Sequence, residues 1–594
     1  VRGKELHVRK RLIFVGKWHV IEPLGILYLL GIAKRLGWEA RVVLIDSFDY
    51  QPLFREVRDF KPDLVCFSIW TGWHVQTFRA CDAVRSLGIK VAIGGPHATY
   101  FTDECLAHAE WVVKAEGFRN FRRLLEGQLP YGIHFDTERM AEGFPIPDRE
   151  LVYQAYPFLA RSLIKSIMCT VGCPFHCSYC YAPTYNRLYG GFALNVRPVD
   201  DIIREALEIK HRWPAEMIYF QDDIFGYDIP WLREFVHAWK ANIGIPWHCQ
   251  IRLELTRNTE RLELFREGGC TGITLAIESG NAFLRQFVLE RPMADDLIVE
   301  GTRKIMRLGM TLRTEQILAV PFSDIETDLQ TLALNNRINP DMAWVSILGP
   351  FGGTVMGTIA QNFGFYTGNN DDFSETFFDR SILRHVKDGR TSIEPCVART
   401  LQGPHDNPLL RMRAVPEFGN HARILVRTAD GTERPACAFE YLEDWQNSRY
   451  CDQTVTLQRI FNWLAKIPQG HRLGTRFVAL PSTEWTWETL GSLTREHWNE
   501  IGYRDQAASW ERRLATEMGY GTPEELPQLV RTNPWYFAFF PGSATFAKHI
   551  LEADPFTGHE PPRQFDALAP LARYWLFEHG LYRTKPATPP IATQ

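Results

Sequence analysis

Short apolar runs alternate with amphipathic stretches along the first 350 residues, in two series. In residues 11–127 the runs are RLIFVG, ARVVLIDS, PDLVCFSI, KVAIGG and WVVKAE, with stretches such as GILYLLGIAKRLG and VQTFRACDAVRSLG between them. Apolar β-rich runs separated by helical periodicity predict parallel strands covered on both faces. Five such strands predict a doubly wound, Rossmann-like α/β domain whose ligand lies at the C-terminal strand edge. Residues 130–160 carry Pro and Gly ("FPIPDRE") and read as a linker. The second series is LIKSIMC (163–169), MIYFQDD (217–223), PWHCQIR (246–252), GITLAIES (272–279), TLRTEQILAV (311–320) and MAWVSILGP (342–350). Six βα units predict a partial (β/α)6 barrel, with chemistry at the C-terminal strand ends. Polar residues gather at those ends: Asp222 and Asp223, Gln250 and Arg252, Glu278 and Ser279. After about residue 370 aromatics become dense ("STEWTWETL", "NPWYFAFFPG") and turns interrupt the period, which predicts a separate, mostly helical C-terminal domain. The expected boundaries are 1–130, a linker over 131–160, the barrel over 161–370 and the last domain over 371–594.

Composition narrows the function class. The chain has 594 residues and a net charge of -4, so nothing electrostatic argues for nucleic acid or an anionic membrane as partner. No apolar run approaches the roughly 18 residues of a membrane span, and the opening VRGKELHVRKRLIFVG does not read as a signal peptide. Eight of the twelve cysteines are scattered singly, which suits a reducing cytoplasm better than a disulfide framework. The Pro-rich tail TKPATPPIATQ reads as disordered.

The other four cysteines lie in CTVGCPFHCSYC, Cys169 to Cys180. Cys173, Cys177 and Cys180 are spaced C-x3-C-x2-C on a loop just past a strand. Three thiolates this close can face one iron–sulfur cubane and leave its fourth iron open. A structural zinc needs four ligands, with Cys169 as the fourth, although Cys169 sits on the strand and points toward the core. Three buried free thiols are the remaining reading.

The stretch CPFHCSYC resembles the signature of the radical S-adenosylmethionine superfamily, with Tyr179 as the aromatic before the last cysteine. The resemblance spans residues 160 to about 360. It implies that Cys173, Cys177 and Cys180 hold a [4Fe–4S] cluster and that Tyr179 lies along the adenine of S-adenosylmethionine. FQDDIF, with Asp222 and Asp223, stands where the family binds the methionine amino group. CQIR (Gln250, Arg252) and AIESG (Glu278, Ser279) stand where it contacts the methionine carboxylate and the ribose. ILGPFGGT resembles a late-barrel loop of relatives, whereas AVPFSDIET departs from their Gly-rich turn. Charge agrees with this reading, since carboxylates suit an ammonium or ribose hydroxyls and Arg252 suits a carboxylate. The alternative for each residue is a solvated charge on the barrel rim.

The first domain lacks a G-x-G-x-x-G after its first strand. In front of such a barrel it resembles the cobalamin-binding domain of the cobalamin-dependent subfamily, through EPLGILYLLGIAKRLGWEARVVLID, PDLVCFSIWTG, AIGGPHAT and VVKAEGFRNFRRLL. The resemblance implies cobalamin contacts from Pro23, Leu24, Gly25, Ser68, Trp70, Thr71, Trp73, Gly94, Gly95, His97, Glu116 and Gly117. The D-x-H-x-x-G motif of many cobalamin proteins is absent, and His19, His74 and His97 stand in other contexts. Cobalamin is therefore expected with its nucleotide tail displaced and no His on cobalt. Trp70 or Trp73 would cover the lower axial face, or else pack against the barrel.

Together the resemblances imply a cobalamin-dependent radical methyltransferase. In that family the reduced cluster cleaves S-adenosylmethionine to a 5′-deoxyadenosyl radical, the radical takes hydrogen from an unactivated carbon, and methylcobalamin supplies the methyl group. The expected substrate is a small natural product or amino-acid-like molecule capped by the aromatic C-terminal domain. The expected reductant is a flavodoxin or ferredoxin. Two alternatives stand beside this: rearrangement or ring formation with the same cofactors, and a non-catalytic cobalamin and iron–sulfur sensor.

Overall fold

The computed structural model describes residues 10–502 apart from 18–21, 46–48, 138–143, 193, 374–379, 445–447 and 486. The Pro-rich tail, NPWYFAFFPG and His19 lie outside the described residues.

The first sheet consists of Arg11–Lys17 (β1), Glu39–Ile45 (β2), Leu64–Ser68 (β3), Lys90–Gly94 (β4), Trp111–Val113 (β5) and Gly132–His134 (β6), in the order β2-β1-β3-β4-β5-β6. Every pairing is parallel. Alternate residues serve two different cores. Leu12, Phe14, Val42, Leu44 and Cys66 enter one, while Ile13, Val15, Val43, Ile45 and Phe67 enter the other. Both faces are covered, so the strands read as unbroken apolar runs. The sixth strand, β6, lies in the stretch read as linker; three residues with one apolar side chain carry no visible period.

The second sheet begins with Ile164–Ile167 (β7). A short antiparallel ribbon, Thr170–Val171 (β8) with Asn195–Val196 (β9), follows it. The sheet continues with Met217–Phe220 (β10), Trp247–Ile251 (β11), Cys270–Glu278 (β12), Thr311–Leu318 (β13) and Met342–Ile347 (β14). Its order is β14-β13-β12-β11-β10-β7, a parallel series that never closes on itself. Ile218, Phe220, Cys249, Ile251, Ile273, Leu275 and Leu312 form the core under the outer helices. Tyr219, His248, Gln250, Thr274, Arg313 and Glu315 alternate with them and so occupy the opposite, concave face.

An open barrel has two edges with unpaired backbone groups, a hazard that must be covered. Side chains cover both edges here. At β7 the Ser166 amide donates to Glu22, and Arg149 Nη2 donates to the Ser166 carbonyl at 2.6 Å. Glu22 lies just before the first helix of the first domain, Leu24–Arg35, so this cap also joins the two sheets. Arg149 pairs with Glu22 at 3.1 Å and Glu205 at 2.7 Å, and Arg197 pairs with Glu205 at 2.7 Å, all buried. At β14 the Ala343 amide donates to Asn462 at 2.9 Å, and Gln458 donates to the Val345 carbonyl at 3.3 Å. Both residues come from the helix Arg449–Ala465.

The segment after residue 370 is thus continuous in packing with the barrel. Leu318, Leu332, Ala343 and Val345 share one core with Leu457, Ile460, Phe461 and Leu464. Phe283, Val320, Phe322 and Leu348 share another with Ile424, Phe439 and Tyr441. The latter three belong to or adjoin an antiparallel sheet of Met412–Pro416 (β15), His421–Arg427 (β16) and Glu433–Glu440 (β17). This sheet accompanies the expected helices; its half-exposed strands carry only short apolar runs.

Replacing Arg149 by Met should be severe, because Glu22 and Glu205 would keep buried charge with less compensation. A loss of about 3–5 kcal/mol is expected, read as a lower urea midpoint at unchanged slope. A midpoint within error of the parent would show that the network does not clamp the edge.

Candidate active site

The loop that follows β8 carries the three closely spaced cysteines. Cys173 and Cys177 are buried and Cys180 is partly exposed. Several bonds hold the loop in shape. Asn186 Nδ2 donates to the Cys173 carbonyl at 2.8 Å, Ser178 Oγ to the Val288 carbonyl at 2.6 Å, and the Met356 amide to the Ser178 carbonyl at 2.8 Å. Arg252 Nη1 lies 2.6 Å from Cys177 Sγ, its guanidinium covers the Phe175 ring at 4.0 Å, and Glu254 accepts two further bonds from it at 2.6 and 3.0 Å. Burial pushes the Cys173 thiol up to about 11 and the Cys180 thiol up to about 12, so a bound cation is what would make thiolates of them. Cys169 is fully buried in the outer-face core, which also takes in Cys173.

The paired aspartates separate. Asp222 is buried and accepts from the amides of Cys169 and Thr170 and from the Thr170 hydroxyl, which ties the ends of β7 and β10 together. Burial still raises its carboxyl to about 7. Asp223 is exposed beside the loop and accepts from the Gly172 amide at 3.2 Å. Of the two, only Asp223 is open to a ligand. Ser279 is buried, and its hydroxyl accepts from the Asn281 amide at 3.1 Å, a turn-forming role. Gln250 remains half-exposed on the concave face.

Glu278 ends β12 at a bulge, where the register with β13 shifts, and has a left-handed φ of 64°. A non-glycine residue held there signals a constrained position. Its carboxylate accepts from the Tyr179 hydroxyl and, at 2.7 Å, from Arg291 Nη1. Arg291 also donates to the Tyr179 oxygen at 3.0 Å and to the Ala276 carbonyl at 2.7 Å. Burial raises the Glu278 carboxyl, and the Arg291 charge opposes that rise. The sequence reading missed Arg291. Its one local signal is an Arg-Pro thirteen positions past Glu278, a dipeptide that recurs elsewhere in the chain, with no period to mark it.

The C-terminal ends of the first sheet carry the other candidate residues. Trp70 is 52% exposed, whereas Trp73 is buried in a core. Pro23 precedes the helix Leu24–Arg35; Leu24 is buried, and a Cβ on Gly25 would meet nothing within 4 Å. Ser68 and Gly94 are paired neighbours at the ends of β3 and β4. Gly95 has φ 97°, and a Cβ there would lie 2.8 Å from the Ile69 nitrogen, so the close crossing of the two strand ends demands glycine. Gly117, at φ 64°, opens the helix Phe118–Leu125. Glu116 engages the barrel, accepting from Tyr185 at 3.3 Å and from Asn195 at 3.3 Å. His97 is fully buried, bonded to Thr71 at 3.0 Å and stacked on His74 at 4.2 Å. Burial lowers the His97 ring to about 3, so it is neutral. Its Nε2 lies 3.3 Å from Glu104. His74 Nδ1 accepts from the Gly72 amide at 3.2 Å, which places the ring proton on Nε2, facing Asp371 at 3.2 Å.

The two sets of strand ends meet. The rings of Tyr100, from the first domain, and Tyr181, the residue after Cys180, stack at 3.8 Å and 8°. Three thiols on one loop beside a cation suit an iron–sulfur cluster, and an exposed Trp with open space at Gly25 suits a broad, flat ligand.

A family profile described as the radical SAM superfamily matches residues 167–332, and one described as the B12 binding domain matches residues 18–125. The chain carries a B12-binding domain followed by a radical S-adenosylmethionine domain. Its cofactors are a [4Fe–4S] cluster, S-adenosylmethionine and cobalamin. It is 23% identical to cytidylyl-2-hydroxyethylphosphonate methyltransferase of Streptomyces wedmorensis, over 50% of this chain and 69% of that one. It is 25% identical to bacteriochlorophyllide d C-12(1)-methyltransferase of Chlorobaculum tepidum, over 45% of this chain and 61% of that one. The fold resembles the radical S-adenosylmethionine methyltransferase TsrM of Kitasatospora setae, solved with cobalamin and a [4Fe–4S] cluster bound. That TM-score is 0.51 at 15% identity, covering 82% of this chain and 99% of that one. Among the described residues no helix is long and apolar enough to cross a membrane.

The two tryptophans should behave oppositely. Trp73→Ala removes a core side chain and should cost about 3–5 kcal/mol. Trp70→Ala should leave stability within about 0.5 kcal/mol but weaken hydroxocobalamin binding at unchanged iron content. Unaltered cobalamin affinity in Trp70→Ala would remove Trp70 from the site.

Proposed function

We propose that this enzyme transfers a methyl group from methylcobalamin to an unactivated carbon of a small natural-product or amino-acid-like substrate. The observation that carries this is the Tyr100–Tyr181 stack. It makes one wall of the cobalamin-domain strand ends and the cysteine loop, so that hydrogen removal and methyl delivery can act on the same carbon.

When bound, the cluster and S-adenosylmethionine supply hydrogen abstraction and cobalamin supplies the methyl group. The chain's own residues bind and orient. Cys173, Cys177 and Cys180 would hold the cluster, with Arg252 balancing charge at Cys177. Tyr179 faces the adenosine side, held by Glu278. Asp223 and Gln250 are the open polar groups on the rim for the methionine end. In the first domain Trp70, Gly25, Ser68, Thr71 and Gly94 would hold the cobalamin, with the exposed Trp70 ring offering it an apolar surface. Trp73, Gly95, His97 and Glu116 support that surface through packing and the bonds described above. The segment after residue 370 caps the substrate and excludes water from the barrel mouth. A flavodoxin or ferredoxin would serve as reductant, and a cytoplasmic setting suits a chain whose cysteines form no disulfide.

Counting S-adenosylhomocysteine and 5′-deoxyadenosine per product tests this. Equal amounts are expected. Deoxyadenosine alone would point to rearrangement or ring formation, S-adenosylhomocysteine alone to polar methyl transfer, and neither to a sensor.

A further inference from the structure

We propose that His97, Glu104 and Asp371 bind one divalent transition cation of the zinc type, which clasps the first domain to the segment after residue 370. The three residues come from separate elements. His97 lies in the short helix Pro96–Tyr100 that follows β4. Glu104 lies in the next one, Thr102–Leu106. Asp371 lies in the single turn Asn370–Asp372, where its amide donates to Asn369 at 3.2 Å. His74, at the start of the helix His74–Ser86, stands beside all three. The nearest ligating atoms of His74, His97 and Glu104 lie within 4.8 Å of one another, and Asp371 lies 3.2 Å from His74 Nε2.

Imidazole nitrogen with carboxylate oxygen is a donor set that such cations take. His97 is fully buried, yet its Nε2 has no hydrogen-bond partner. Glu104 Oε2 lies 3.3 Å from that nitrogen, off the line a hydrogen bond needs. A nitrogen and an oxygen that share one tetrahedral zinc stand about 3.3–3.5 Å apart, because each bond is about 2.0–2.2 Å. Across the ring, Thr71 Oγ1 lies 3.0 Å from Nδ1, where it accepts the ring proton and leaves the Nε2 lone pair for the cation. His74 Nε2 donates to Asp371 and lies 3.9 Å from Glu104 Oε1, so the two carboxylates converge. His74 keeps its proton and acts as the positioning residue that aims Asp371. Among the described residues neither carboxylate pairs with a lysine or an arginine. Burial and the Asp371 charge together raise the Glu104 carboxyl, and burial disfavours charge on both rings. Two negative groups thus face each other without a cation, and a divalent ion would neutralise both while using the orphaned Nε2.

The test uses the full chain with reconstituted cluster and cobalamin, and measures zinc uptake by equilibrium dialysis against zinc sulfate. The parent should take up about one zinc at this site. Glu104→Gln and Asp371→Asn should each weaken that binding by about tenfold or more. Their side chains are 38% and 58% exposed, so both variants should keep the parent's iron and cobalamin content. Zinc should raise the parent's Tm and leave that of the variants unmoved, since a ligand stabilises the folded state that binds it. A parent that takes up no zinc, or unchanged zinc affinity in either variant, overturns the proposal. Should a variant lose its fold, X-ray absorption at the zinc edge of the parent decides. An imidazole with oxygen ligands at about 2.0–2.2 Å upholds the site, and sulfur at about 2.3 Å overturns it.

Discussion

Cys173→Ala, Cys177→Ala and Cys180→Ala are each expected to abolish the iron of the reconstituted protein, about four atoms per chain in the parent. In the proposed site three thiolates are the whole protein ligand set, so losing one would leave two irons of the cubane without a protein ligand. The loop geometry supports the choice of these three. It is pinned by Asn186, Ser178 and Met356, and Arg252 stands against Cys177. Cys169→Ala should keep the iron. Its side chain belongs to the core under β7, and its amide, which the substitution retains, is the part that meets Asp222. The measurement is iron and sulfide per chain with the charge-transfer absorption of the cluster. Iron loss in Cys169→Ala, at a stability equal to the parent's, would make it a fourth ligand and defeat the open-iron assignment.

Ending the chain at residue 370 should have the other large effect: the fragment should aggregate or lose its cluster rather than survive as a barrel without a cap. Leu318, Leu332 and Val345 are buried against the helix Arg449–Ala465. Exposing each costs roughly 1.5–3 kcal/mol, so the three approach the whole stability of an ordinary domain, about 5–15 kcal/mol. The cut also removes Asn462 and Gln458 and bares the β14 edge. Solubility, iron and cobalamin content of the truncated and full chains are the readouts. A soluble fragment with full iron would show that the helix is dispensable to the barrel and that the segment acts as a cap alone.

The sequence by itself determined the strands, their parallel sense and the cysteine loop. Parallel strands covered by helices carry dense apolar residues, so eleven of the twelve strands of the two large sheets, all but the three-residue β6, are legible in the sequence. Cys173, Cys177 and Cys180 share one loop and lie within eight residues of the chain, so the candidate cluster site was legible as spacing. Tertiary structure alone decided the rest. Asp222 and Asp223 are neighbours in sequence, yet one ties strand ends together while the other meets solvent, because successive residues past a strand point in different directions. Trp70 and Trp73 separate in the same way, into an exposed ring and a core ring. Arg291 and the caps from Glu22, Arg149, Asn462 and Gln458 leave no pattern, because each acts on a partner far away in the chain. Their meaning depends on an open sheet whose two edges and one rim exist only after the chain has folded.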